Sequence, residues 1–236
     1  RRARREEFVG GAAVVAKHAR ATGARVQFTS LLGDDAAGKF ALDDLSAAGI
    51  DVFPVVDRAR PTTVKEAVVV EGYRLLKIDV VDNRPASDPI LRRLVEQVAG
   101  TDGGAVVFSD FRHGIFHGHS IARLVAAIPT GCLRVADSQV ASRWGNICDF
   151  LNFDLITPNE REARFALGDQ DSGVRPLAAH LFEAARCRHL LMKLGARGIF
   201  GVGPPGAGGL DQSFVLESFA GTAVDPVGAG DAFLAY

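Results

Sequence analysis

The sequence predicts an α/β protein, a three-layer α/β/α sandwich with a mainly parallel central sheet and a small β lid, and three observations carry that prediction. Short, nearly continuous apolar runs alternate with amphipathic helical segments along most of the chain, the pattern of a parallel sheet buried on both faces. Residues 60 to 80 break the rhythm, being β-rich on both sides of Glu71-Gly72 with no helical segment, and so read as a projecting hairpin. At 236 residues and 47% hydrophobic composition the chain can also bury a substantial core. The expected organisation is one domain over 1–236 with the lid inserted at about 60–80.

The elements follow in order. Residues 11 to 22 and 36 to 48 read as helices that stop at Gly23 and Gly49, each followed by a β-type run, RVQFTSLL and IDVFPVV. After the hairpin, Asp88 caps a helix with Pro89 at its first position and Leu91, Leu94, Val95 and Val98 on one face, ahead of the strand AVVF. Ser120 caps IARLVAAI, and the strand LRVA follows. LIT precedes the helix NEREARFAL, and PLAAHLFEAARC leads into the strands HLLMKL and GIFGV. GPPGAGG is a turn-rich loop between two strands. In sheets of this kind ligands bind beyond the carboxyl ends of the strands, so the polar residues there are the ones to examine.

Composition excludes several classes. A formal net charge of -1 provides no overall positive field for nucleic acid or an anionic membrane. The basic start RRARREE is offset at once by two glutamates and reads as a solvated face. Cys132, Cys148 and Cys187 lack CxxC spacing, which argues against a disulfide framework or a zinc knuckle and for a reducing cytoplasm. No apolar run approaches the ~18 residues of a membrane helix. The chain opens on Arg1 and stops at Tyr236 within a young helix, so it reads as lacking its natural ends.

Four stretches invite a chemical reading. GDDAAGKF (33–40) matches the phosphate-cradling loop G-x-x-x-x-G-K-[ST] until Phe40, where the magnesium-ligating hydroxyl should be, and places two carboxylates at its first bend. GVGPPG (201–206) matches G-x-G-x-x-G, but two prolines remove backbone donors and no helix follows. His113, His117 and His119 cluster in a loop with no nearby Cys or Glu to complete a zinc shell, and the loop reads as solvent-facing. DPVGAGDAF (225–233) is different. Gly228, Ala229 and Gly230 leave their amides free as the chain turns into a helix beginning near Asp231, which makes an anion hole. A carboxylate there would repel a merely bound phosphate; it suits a base that takes a proton from a hydroxyl attacking phosphorus.

GAGD after Asp225-Pro226-Val227 resembles the active-site signature of the ribokinase-like, or PfkB-type, carbohydrate kinases. The segment from Phe8 to Val52, with Gly10-Gly11 opening a helix and a G-x-D-x-x-G run after the next strand, is similar to that family's first signature. TPNEREA resembles its N-x-x-E motif through Asn159 and Glu162, and KLGARG (193–198) resembles the segment bordering the nucleotide. RPTTVK, RLLKID and SDF with Gly114 look closest to the heptose-phosphate kinases within it.

The resemblance implies ATP-dependent transfer of a γ-phosphoryl group to a sugar or sugar-phosphate hydroxyl, with heptose 7-phosphate a candidate acceptor. It implies Asp231 as base, and Gly228, Ala229 and Gly230 around the transferring phosphate. Lys193, Gly195, Gly198 and Asp225 fall on the nucleotide side, and Asn159 and Glu162 organise Mg²⁺ through water. Gly10, Gly11, Asp34, Lys65 and Asp110 fall on the sugar side, with Arg60, Lys65 and Arg112 as cations for a sugar phosphate. In the family the lid often serves as a dimer surface. Two departures stand out: Val14 occupies the position of a sugar-contacting Asn, and Asp137-Ser138-Gln139 replaces Asp-Pro-Lys, leaving Lys193 as the available lysine. Those departures favour a non-catalytic sensor on the same scaffold, whereas an intact Asp231 and N-x-x-E favour the enzyme. A dinucleotide-dependent oxidoreductase would rest on GVGPPG alone.

Overall fold

The computed structural model describes residues 4–71, 73–140, 144–204, 212–219, 221 and 227–236. Its centre is a six-stranded sheet in the order β12-β11-β10-β9-β8-β7, formed by β7 (Ala105–Asp110), β8 (Leu133–Ser138), β9 (Leu155–Ile156), β10 (His189–Lys193), β11 (Ile199–Gly203) and β12 (Gln212–Leu216). Strands β7 to β10 run parallel, and β11 and β12 add antiparallel. The connections that make the parallel part possible are α4 (Gly118–Ala126), between β7 and β8, and the pair α5 (Glu160–Leu167) and α6 (Val174–Ala185), between β9 and β10.

The large core lies on one face of this sheet. Phe108, Ala136, Ile156 and Met192 point there from consecutive strands, under Leu91 and Leu94 of α3 (Asp88–Ala99), Ile121 and Leu124 of α4, and Leu177 and Leu181 of α6. Phe108, Phe116, Phe150 and Phe153 interlock there with ring centroids 5.1 to 6.3 Å apart, and burying each phenyl ring stabilises the fold by about 1.5–3 kcal/mol. A second, smaller core joins Ala13 and Ala16 of α1 (Ala12–Ala21) to Leu45 of α2 (Ala36–Ala47) and Ile50. The RVQFTSLL and IDVFPVV runs are broken into two-residue strands, β1 (Gln27–Phe28) with β3 (Asp51–Val52) and β2 (Leu31–Leu32) with β4 (Val55–Val56), both pairs parallel. They stand outside the six-stranded sheet.

On the sheet's other face α1 packs against β7, and α7 (Ala229–Ala235) packs on α1. Cover is partial: Val107 is 43% exposed and Leu133 53%. A sheet buried throughout on both faces was the expectation from its apolar strands; strand hydrophobicity records the capacity for burial, not its extent. Among the described residues no helix is long and apolar enough to cross a membrane.

The hairpin forms as expected from β5 (Val64–Val70) and β6 (Tyr73–Val80), antiparallel with a bulge between Val68 and Val69. Both strands are exposed along their whole length.

Helix starts differ from the sequence reading by one to three residues. Ser87, not Asp88, is the N-cap of α3, with Asp88 and Pro89 in its first turn. Ser120 sits three residues inside α4, where its hydroxyl accepts from the backbone of the true N-cap, His117, and donates to Ile115. A serine at N3 can imitate a cap in sequence because it serves the same orphan amides from the other side. α7 begins at Ala229, two residues before Asp231.

Candidate active site

The carboxyl ends of β7 and β8 carry two separate polar networks. In the paired register Asp110 lies opposite Ser138, and Ser109 opposite Asp137. Successive residues of a strand point to opposite faces, so Asp110 and Ser138 share one side and Asp137 takes the other. On the first side Asp110, 3% exposed, accepts from the Arg112 amide at 2.6 Å, Asn146 Nδ2 at 2.9 Å and Ser138 Oγ at 3.2 Å, and pairs with the Arg112 guanidinium at 3.4 Å. Ser138 also contacts Asn146 Oδ1. Asp110 is thus fully engaged, fixing the turn in which Arg112 adopts φ 62°.

On the second side Asp137 Oδ1 accepts from Lys193 Nζ at 2.9 Å and from Thr157 Oγ1 at 3.1 Å. Lys193 ends β10, and its amide donates to Pro158 at 2.8 Å, so strand pairing seats it beside Asn159. Asn159 is the N-cap of α5: its side chain accepts from the Glu162 amide at 2.9 Å while Glu162 Oε2 accepts from the Asn159 amide at 2.6 Å. This capping box is the local reason for the N-x-x-E spacing, since N-cap and N3 are the positions that can serve each other. It also buries Glu162. Burial, then the Asp137 carboxylate, push its carboxyl up to about 7.

The first turn of α7 faces this group. Gly228 supplies the N-cap with φ 84°, and the amides of Ala229, Gly230 and Asp231 have no carbonyl four residues back within the helix. A Cβ at Gly230 would lie 3.5 Å from Lys193 Nζ, which puts the ammonium against that turn. Burial and Asp137 push Asp231 up, opposed by Lys193 and by His18 of α1. Three carboxyl groups, one lysine and one helix start therefore share a small volume. Asp225 lies outside the described residues.

The turn expected on the nucleotide side is tightly specified. Residues Gly195–Arg197 form a single 3-10 turn closed by Gly198 at φ 89°, where a side chain would strike Leu216 O. Arg197 and Arg164 both pair with Glu160, tying the turn to α5. Asn159, Lys193 and Gly195 line an open depression of about 360 Å³ with Phe165 and Arg161, whose guanidinium stacks 5.5 Å from the Phe165 centroid.

The expected sugar-side residues do not all converge. Gly10 and Gly11 open α1, and Gly11 lies against the Phe111 ring just beyond β7. Lys65 sits at the root of the hairpin, near enough to His113 to help burial push that imidazole down. Asp34 instead points outward to Arg58 at 3.1 Å. The neighbouring Asp35 does the structural work that the G-x-D-x-x-G spacing marks: it caps α2 at the Gly38 amide and accepts from the Thr62 amide, both at 2.8 Å. Gly33 and Gly38 are needed because a Cβ at either would come within 2.7 Å of backbone atoms. GDDAAGKF is accordingly a knot joining α2 to residues 60–62. Phe40 is 36% exposed.

Arg60 is a buried structural cation, held by Asp57 at 3.0 Å and Pro85 O at 3.4 Å, and Arg112 is partnered by Asp110 as described above. Two of the cations expected for a sugar phosphate are thus engaged by carboxylates of the chain itself. The histidine loop is partly buried too: His113 meets Asn83 Oδ1 at 3.1 Å and His117 stacks on His119. Val14, Lys17, His18 and Asp44 line a depression on α1, so position 14 offers an apolar surface there.

The family profile described as pfkB family carbohydrate kinase matches residues 1–235. The bifunctional protein HldE of Rhodopseudomonas palustris strain TIE-1 is 34% identical over 167 residues, covering 67% of this chain and 33% of that protein. The HldE protein of Bradyrhizobium diazoefficiens is 30% identical over 207 residues, 83% and 41% of the two chains. The chain thus spans less than half the length of these relatives. Among solved structures, the tetrameric inhibited form of phosphofructokinase-2 from Escherichia coli superposes with a TM-score of 0.77 at 20% identity, covering 96% of this chain and 73% of that one. A PfkB protein from Polaromonas sp. JS666 gives 0.67 at 19%, covering 94% and 74%.

Proposed function

Because the chain belongs to the pfkB family of carbohydrate kinases, we propose that it is a kinase domain, one unit over residues 1–236, that moves the γ-phosphoryl group of ATP to a sugar hydroxyl. The observation that carries this reading is Asp231 in the first turn of α7, half-buried and facing Lys193 and Asp137. Asp231 accepts the proton of the attacking hydroxyl as that oxygen bonds to phosphorus and the bond from phosphorus to the bridging oxygen breaks. A carboxyl raised by burial holds that proton better than an exposed one would. The free amides of the α7 start, contributed through Gly228, Ala229 and Gly230, hold the phosphoryl oxygens.

Asn159 and Glu162 supply oxygen donors of the kind Mg²⁺ takes, though among the described residues no three His, Cys, Asp or Glu gather as a direct metal cage. Glu162 is a buried carboxylate raised by its own burial and by Asp137, a charge pattern that a nearby cation relieves. Asn159 and Glu162 would hold the ion through water, and it would neutralise phosphate charge. Lys193, Gly195 and Gly198 border the nucleotide, with Asp225 beyond them. Gly10, Gly11, Lys65 and Asp110 frame the sugar, and Asp34 would have to turn from Arg58 to join them.

The HldE relatives support heptose 7-phosphate as acceptor, and a cytoplasmic setting accords with that substrate. The exposed hairpin supports a homodimer through the lid. Changing Asp231→Asn in the complete protein is expected to lower ATP-dependent phosphorylation by ~10²-fold or more; turnover within a few-fold of wild type would exclude Asp231 as base. Val14 keeps one competing reading in play, a sensor that binds without turnover. Tight calorimetric binding of ATP and sugar with no product would establish it.

A further inference from the structure

The kinase reading assigns no task to Asp137, yet this carboxylate pairs with Lys193 and raises the carboxyls of Glu162 and Asp231. Its side chain is 12% exposed and that of Lys193 16%. The two meet at 2.9 Å, and Thr157 supplies a further donor to the same oxygen. Lys193 is anchored at its backbone by Pro158 and at its tip by Asp137, so its long side chain is held in one place. That place lies beside the first turn of α7, 3.5 Å from where a Cβ on Gly230 would be. A lysine confined at both ends has already lost the rotamer freedom it would otherwise lose on meeting a ligand.

Resting on the kinase reading, we infer that Asp137 and Lys193 form a braced pair in which Lys193 is a catalytic cation for the terminal phosphate oxygens of ATP and Asp137 is the positioning residue that aims it. The ammonium comes from the end of β10 and its carboxylate partner from the end of β8. Two features of the site fit this division. Lys193 Nζ is 2.9 Å from Asp137 Oδ1 and lies against the first turn of α7, the turn that carries Asp231. A lone ammonium among Asp137, Glu162 and Asp231 would also be drawn among three carboxyl groups; the short bond to Asp137 selects one of them and leaves Asp231 available to the hydroxyl.

The test is a double-mutant cycle in the complete protein, read by steady-state kinetics and by calorimetric titration with ATP and Mg²⁺. Lys193→Ala is expected to lower kcat by about 10²-fold with KM for the sugar within about twofold, and Lys193→Arg to recover much of the loss. Asp137→Asn is expected to lower kcat about tenfold alone and less than twofold in the Lys193→Ala background. Full, additive loss from Asp137→Asn in that background would overturn the pair, since Asp137 would then act without the lysine. Turnover of Lys193→Ala within threefold of wild type would overturn it as well. If the wild-type protein phosphorylates no sugar, the kinase reading fails on that result, and the pair is judged by titration: about tenfold weaker ATP binding in Lys193→Ala supports it, and unchanged affinity ends it.

Discussion

The carboxyl end of the parallel sheet and the β5–β6 hairpin are both built largely from β-formers, yet they spend them in opposite ways. At the sheet end Phe108, Ala136, Ile156 and Met192 are buried beneath helices, and the polar residues that follow them are paired with one another. In the hairpin Val68, Tyr73, Leu75, Leu76 and Ile78 are all exposed. A two-stranded ribbon with no cover is marginal by itself. The sheet end is thus a rigid platform whose geometry the core dictates, whereas the hairpin is held at its root and presents apolar side chains to whatever meets it. Exactness of a site and readiness for a partner follow from which of these a segment belongs to.

Changes that strike the platform should have the largest effects. Phe150→Ala removes a fully buried ring from the aromatic cluster and is expected to cost about 3–5 kcal/mol of stability in chemical denaturation; a loss below about 1 kcal/mol would mean that the core is not what sets the strand ends. Next comes Asp231→Asn, whose ~10²-fold loss of turnover should leave the denaturation midpoint nearly unmoved.

Glu162 gives a pH-dependent contrast. Its folded value of about 7 lies above the ordinary 4.5, so the unfolded chain loses the proton first as pH rises. The fold is therefore penalised progressively from about pH 4.5 to pH 7, by roughly 3 kcal/mol at the top of that window. Without magnesium, Glu162→Gln should melt like wild type at pH 4.5 and higher than wild type at pH 8, while losing activity. Parallel melting curves at both values would contradict the burial argument. The smallest effect is expected in the hairpin: Leu75→Ser with Tyr73→Ser should change stability by less than about 0.5 kcal/mol. If the lid joins two copies, the same pair should lower the sedimentation coefficient to that of a monomer.

Much of this was legible in the sequence. Alternating helix and strand patterns located the elements because each buries one stripe or one face, and Glu71-Gly72 marked the hairpin. GAGD was legible as a glycine-rich helix start, whereas N-x-x-E was legible only through the family resemblance, its capping box being a local contact that the structure adds. Other features depend on contacts between distant segments. Asp34 and Asp35 are adjacent and chemically alike, and only the approach of Thr62 decides that Asp35 turns inward. Arg60 reads as a surface cation until Asp57 and Pro85 enclose it. Asp137 looked like half of a lost motif, because its partner lies 56 residues away. The G-x-D-x-x-G spacing was the one available signal for Asp35.

The alternation at the end of β8 also bears on how such a sequence can change over time. Asp137 and Ser138 are neighbours in the chain but belong to opposite sides of the sheet, one with Lys193 and Thr157, the other with Asp110 and Asn146. Among related sequences, position 137 should vary in step with 193, and position 138 with 110 and 146, while 137 and 138 drift independently. One strand thus carries two inheritances, interleaved residue by residue.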